Sequence, residues 1–264
     1  MTEGATERLP AAPVHRGLAL WQAAVLLGAF YAAQIAAGFI LLVIQNGFDL
    51  EAIRASLGSV QNVQRLIVAG GLATVSMVLV LLMLFARARG LGLADFGFVR
   101  PPARWFFYAL LLLPFTYLAG IFAQWYFGED FMRRSLQTSL GFVSRDGLMT
   151  AATAVVVIIL MPFAEELFFR ATVFGALRKY MRVLPAMLVA TLLFVVIHAQ
   201  YTLAGGLFAL VASVQLALLS FLLMWLYVRS GSLWPSIMLH MLNNGIAFSA
   251  AYAYFHYPQA IAGV

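Results

Sequence analysis

Apolar stretches long enough to span a bilayer succeed one another along this chain, at about 17–45, 66–86, 105–127, 148–182, 184–199, 203–228 and 232–256. A spanning helix needs roughly 20 predominantly apolar residues. Between these stretches no segment has the length or composition of an extramembrane domain. Composition agrees: 64% of the 264 residues are hydrophobic and 10% are charged, a ratio that a soluble domain cannot tolerate. The bilayer is therefore the main solvent. The expected architecture is all-α, a polytopic transmembrane helix bundle of seven to eight spans. The count rises to eight if 148–182, which contains Pro162, or 203–228 is broken. There is no cysteine, which excludes disulfides, thiolate nucleophiles and Cys-ligated metals.

The chain divides into a polar tail over 1–16, spans and interfacial segments over 17–145, a C-terminal core over 146–256 and a tail over 257–264. The apolar run after Arg16 is too long for a signal-peptide core and reads as a retained helix. Leu50, Ile53, Leu57, Val60 and Val63 share one helical face, as do Met132, Leu136, Leu140 and Val143. Both patterns predict amphipathic helices, lying at the membrane interface or serving as ordinary loop helices. Arg8, Arg16, Arg87, Arg89, Arg100, Arg104, Arg178, Lys179, Arg182 and Arg229 fall in loops of one side. On the other side Arg54, Arg65, Arg133, Arg134 and Arg145 are diluted by Asp49, Glu51, Glu129, Asp130 and Asp146. The positive-inside rule then places the N-terminus in the cytoplasm. A net charge of +6 spread over short loops reads as topology and lipid contact, not nucleic-acid binding.

Within 159–170, Ile-Leu-Met-Pro-Phe-Ala-Glu-Glu-Leu-Phe-Phe-Arg, two adjacent glutamates sit in apolar surroundings. One carboxylate at the centre of a spanning helix costs roughly 3 kcal/mol, and such groups face a protein interior or a wet cavity. Glu166 and Arg170 are four apart and share a face, so they can pair. Glu165 points about 100° away and has no partner in sequence, which makes it the candidate general base. His198 has Phe194 four residues before it, and His240 has Asn244 four residues after it. Taken singly, each histidine reads as a hydrogen-bonded core residue, and Asn243 and Asn244 as interhelical hydrogen-bonding groups. Depth joins them. Counted from the basic end, Glu165, His198 and His240 lie roughly 25, 21 and 15 Å into their helices. Given tilt and a kink at Pro162, they can meet near mid-membrane if the fourth helix runs on to about Arg182 and buries Arg170. His15 is juxtamembrane and His256 sits among Tyr252, Tyr254 and Tyr257, so neither is assigned to chemistry.

Glu-Glu-x-x-x-Arg at 165–170, Phe-x-x-x-His at 194–198 and His-x-x-x-Asn at 240–244 resemble, in order, the three motifs of the CAAX protease and bacteriocin-processing (CPBP, or Abi) intramembrane endopeptidases. The resemblance covers about 150 to 250. It implies a bacterial plasma-membrane protease that cleaves a peptide or lipidated, CAAX-like protein. Glu165 and His198 would activate water, and His240 and Asn244 would form the oxyanion hole. Glu166, Arg170 and Phe194 would support them. No cofactor is favoured. Zinc on Glu165, His198 and His240 is the competing chemistry, since three N/O ligands suffice for a catalytic site, although no His-Glu-x-x-His run occurs. Ser213, Ser220 and Ser236 lack a Ser-His-Asp context. The alternative from another class is a non-catalytic immunity factor, scaffold or small transporter, because intramembrane Glu, Arg and His also build ion pathways.

Overall fold

The computed structural model describes residues 17–128, 142–198 and 206–258. Among them there is no strand. Backbone groups in lipid must be satisfied within their own segment, which is what a helix does. We number the helices α1 (Leu20–Asn46), α2 (Leu50–Leu57), α3 (Val60–Ala88), α4 (Arg104–Phe127), α5 (Gly147–Leu177), α6 (Val183–Ile197), α7 (Gly206–Ser230) and α8 (Leu233–His256). Five of these, α1, α3, α4, α5 and α7, are long and apolar enough to cross a membrane. Helix α6 is apolar but only 15 residues long. Helix α8 has the length, 24 residues, and carries His240, Asn243 and Asn244 in its interior. Each apolar stretch of the sequence thus holds a helix, and neither α5 nor α7 is broken, so among the described residues the seven stretches give seven helices rather than eight.

The interfacial segments differ from expectation. Helix α2 is a separate exposed turn, entered through Asp49, whose carboxylate accepts from the Glu51 and Ala52 amides. Val60 and Val63 belong instead to the first turn of α3. Val143 is fully buried, not on an interfacial face. Met132, Leu136 and Leu140 lie outside the described residues.

Two ends can be told apart. At the basic end Lys179 donates to the Gly17 and Leu18 carbonyls at 2.6 and 3.0 Å. Nearby, Leu233 donates to Gly97 at 2.9 Å and Ser232 to Val99 at 2.7 Å. The 93–99 connector is thereby locked against the start of α8. At the opposite end Gln64 of α3 donates to the Phe142 carbonyl and the Thr150 hydroxyl.

Helix α5 is the axis of the bundle and touches α1, α3, α6 and α8. Its winding is unusual. Val155–Leu160 and Leu167–Phe174 are π-helical and flank an α-turn over Met161–Glu166. Pro162 lacks an N–H and normally kinks a helix; here the wide turns absorb it and α5 continues to Leu177, five residues short of Arg182. Helix α3 approaches the first π segment closely. A Cβ on Gly71 would stand 2.4 Å from Val156 Cγ1, so only glycine fits there.

Candidate active site

Glu165 and Glu166 leave the short α-turn of α5 on different faces, and both are buried. Glu165 meets the two histidines. Its Oε2 stands 3.7 Å from His240 Nε2 and 4.0 Å from His198 Nε2. Helices α5, α6 and α8 therefore bring one polar group each to a common point. Glu166 faces the other way, 3.0 Å from Arg170 Nη1 and 2.8 Å from His240 Nδ1. Arg170 is fully buried. It also donates to the carbonyl and hydroxyl of Ser220 on α7, at 3.2 and 3.3 Å.

These contacts set the histidine tautomers. His198 Nδ1 lies 2.7 Å from the Phe194 carbonyl, and a carbonyl only accepts, so Nδ1 carries the proton. His240 Nδ1 faces a carboxylate already paired with Arg170, so it too donates. In their neutral forms both rings then turn a bare Nε2 lone pair toward Glu165. The arrangement offers three acceptors to one small volume, which suits a donor such as water.

Position 194 explains the aromatic member of the second motif. The Phe194 ring packs at 4.4 Å from His198 and 6.0 Å from His240, and Arg170 Cζ lies 5.2 Å from its centroid. One ring thus separates the guanidinium from the imidazoles and fixes both.

Asn244 is tied to the π-turn. Its Nδ2 donates to the Val157 carbonyl at 2.9 Å. In the i+5 register of that turn, the N–H that would reach Val157 belongs to Pro162, which has none. Pro162 thus frees a carbonyl, and Asn244 from α8 claims it, keeping its second amide hydrogen. Asn243 accepts from Thr116 at 2.9 Å, and its backbone carbonyl accepts from Tyr117 at 2.7 Å. That pair holds α8 against α4.

Residues silent in the sequence also enter. Tyr31 of α1 donates to the Ile197 carbonyl at 3.0 Å and so caps the end of α6 immediately before His198. Its separation of 166 residues from that acceptor leaves no local signal. Gln215 of α7 lines, with Glu165, His198, His240 and Asn244, a cavity of about 440 Å³; only its polarity inside an apolar run hinted at a role. The three serines are occupied locally: Ser213 and Ser236 bond backbone carbonyls, and Ser220 holds Arg170. His15 lies outside the described residues, and His256 packs at a tilt against Tyr252, with ring centroids 4.4 Å apart, far along α8 from the site.

The donor set for zinc fits chemically, because both histidines carry the outer-shell bonds that metal ligands usually have. Ligands at about 2.0–2.2 Å on one tetrahedral ion stand about 3.3–3.6 Å apart, a few tenths of an ångström inside the 3.7 and 4.0 Å found here. Among the described residues no three His, Cys, Asp or Glu side chains close on a metal position.

Residues 147–246 match the family model of the type II CAAX prenyl endopeptidase Rce1-like proteins. That region contains all three motifs. No curated protein and no solved structure matches the chain.

Proposed function

We propose that the chain, whose residues 147–246 match the Rce1-like CAAX endopeptidase family model, is an intramembrane endopeptidase with Glu165 as general base. Its substrate would be a membrane-associated or lipidated, CAAX-like peptide or protein. The observation that carries this reading is the convergence of Glu165, His198 and His240 in one cavity.

The reaction follows from those roles. A water donates one hydrogen to Glu165 and the other to His198 Nε2. As its oxygen attacks the scissile carbonyl carbon, Glu165 takes the proton, and later passes it to the leaving amine. Charge gathers on the former carbonyl oxygen and calls for preorganised donors. Asn244 has an amide hydrogen to give. His240 can donate from Nε2 only as the imidazolium, with the Glu166 carboxylate at Nδ1 as counter-charge, the arrangement an acid–histidine pair uses elsewhere. Glu166 and Arg170 thus position His240 and do not touch substrate. No step runs through a metal. Proteolysis by purified protein that survives a chelator supports this route, whereas loss restored by added zinc replaces it with metal-bound water.

The deciding test compares peptide termini in membranes of cells carrying the wild type or Glu165→Gln at matched expression. New termini that need the wild type establish proteolysis and identify the substrate. Identical profiles with the substrate present would instead favour an immunity or scaffold protein.

A further inference from the structure

We propose that Gln215 of α7 is a substrate-binding residue of this site, its carboxamide pairing with the main chain of the bound peptide beside the bond that Glu165 attacks. This deepens the peptidase reading above and rests on it. Helix register puts the glutamine there. Arg170 of α5 donates to Ser220 of α7, and further along Phe174 of α5 meets Tyr227 of α7 with ring centroids 6.1 Å apart. Both positions rise together, so the two helices run the same way. Counting five residues back from each partner of the Arg170–Ser220 contact gives Glu165 and Gln215. The two side chains therefore reach a similar depth, and both line the one cavity.

An amide in an apolar helix calls for a partner. Burying one without a hydrogen bond costs about 1–3 kcal/mol, and between membrane helices such side chains commonly bond across to a neighbour. Asn243 and Asn244 do so, to Thr116 and Val157. Gln215 has no hydrogen-bonding partner among the described residues, and its oxygen and nitrogen face the cavity instead of sealed packing. The wall of α4 leaves room for it. A Cβ on Gly120 would stand 2.8 Å from Gln215 Oε1, and the three nearest atoms all belong to Gln215. Glycine within a helix costs about 1 kcal/mol against alanine, and here the space it leaves is taken by this amide. A carboxamide offers a donor and an acceptor, the same pair that a peptide unit presents. Charge favours that partner. Glu165 is the one carboxylate among the described residues lining the cavity, and neither Lys nor Arg joins it. An anion bound beside Gln215 would meet Glu165 with no cation nearby, whereas an uncharged peptide unit is matched by a neutral amide.

The test reads binding without turnover. The probe is a prenylated peptide with a CAAX-type C-terminus and a fluorophore at its N-terminus, followed by anisotropy on the full chain in detergent. Glu165→Gln serves as the parent so that nothing is cut. Adding Gln215→Leu should weaken binding by about tenfold, the loss of one hydrogen-bonded pair. The melting temperature should hold or rise, because an unpartnered amide gives way to an apolar side chain of similar size. Gly120→Ala, whose methyl pushes the carboxamide aside, should also weaken binding and should add little in the double variant with Gln215→Leu. Methylating the peptide's backbone nitrogens one at a time then locates the contact: one position should lose affinity in the parent and lose none once Gln215 is leucine. Unchanged binding with Gln215→Leu, a melting temperature that falls with it, or the same N-methyl losses with and without Gln215 overturns the proposal. So does a peptide that fails to bind the parent. A wild type that binds the peptide but never cleaves it counts against the peptidase reading alone.

Discussion

At the scale of single residues, the proposed mechanism divides the site into a group that meets water and a group that holds it in place. Glu165→Gln keeps size and hydrogen-bonding capacity but removes the base. Turnover should fall by roughly 10²–10⁴-fold with an unchanged melting temperature in detergent, and a comparable drop in stability would count against a catalytic role. Glu166 behaves differently because its neighbour is a buried cation. Glu166→Ala leaves Arg170 without its carboxylate and should destabilise the protein by about 3–5 kcal/mol, read as a lower unfolding temperature. The double replacement Glu166→Leu with Arg170→Met should recover much of that stability, since apolar residues of similar volume often substitute for a buried pair. It should not recover activity, because His240 Nδ1 then has no acceptor. Recovery of both would show that the pair serves packing alone.

At the scale of elements, α5 is shaped by one residue. Pro162 sits where the wide turn leaves Val157 unclaimed, and Asn244 fills the gap. Restoring the amide with Pro162→Ala lets the helix satisfy Val157 itself. Activity should then fall while thermal stability holds or rises, and unchanged activity would sever Asn244's tether from its function. The close passage of α3 gives a second test. Gly71→Ala drives a methyl into Val156 and should cost about 1–3 kcal/mol as overpacking, measurable by chemical or thermal unfolding. Val156→Ala in the same chain should relieve it. Glu165 and Glu166 illustrate how an element converts sequence into chemistry. A step of one residue on a helix separates a carboxylate that faces both histidine Nε2 atoms from a carboxylate that pairs with Arg170 and His240 Nδ1.

Across the whole molecule, the N-terminal helices act on a site that lies beyond them in sequence. Tyr31 of α1 closes the end of α6 at Ile197, which holds the backbone just before His198 from outside the motif region. Tyr31→Phe loses one hydrogen bond and should cost about 1 kcal/mol in stability. A larger loss in kcat than in KM is expected, since the ring of His198 would then sample other positions. An effect on stability alone would confine Tyr31 to scaffolding. The same logic applies to Thr116 and Tyr117, which hold α8 through Asn243. Helices α1 and α4 thus fall outside the matched residues 147–246 yet complete the site.

The sequence by itself determined that the chain is a helical membrane bundle, because a run of apolar residues long enough for lipid allows few other structures. It also determined the polar residues to watch, because a charge or imidazole in lipid is costly without a partner. The i,i+4 spacing was enough to expect the Glu166–Arg170 pair. Only the tertiary structure decided that His240 turns Nδ1 to Glu166 and Nε2 to Glu165, that Asn244 takes the carbonyl freed by Pro162, and that Tyr31 and Gln215 belong beside them. Those facts depend on helix rotation and on the winding of α5. A π-turn and an α-turn carry the same apolar pattern but aim their side chains differently, so their difference appears only once the helices pack.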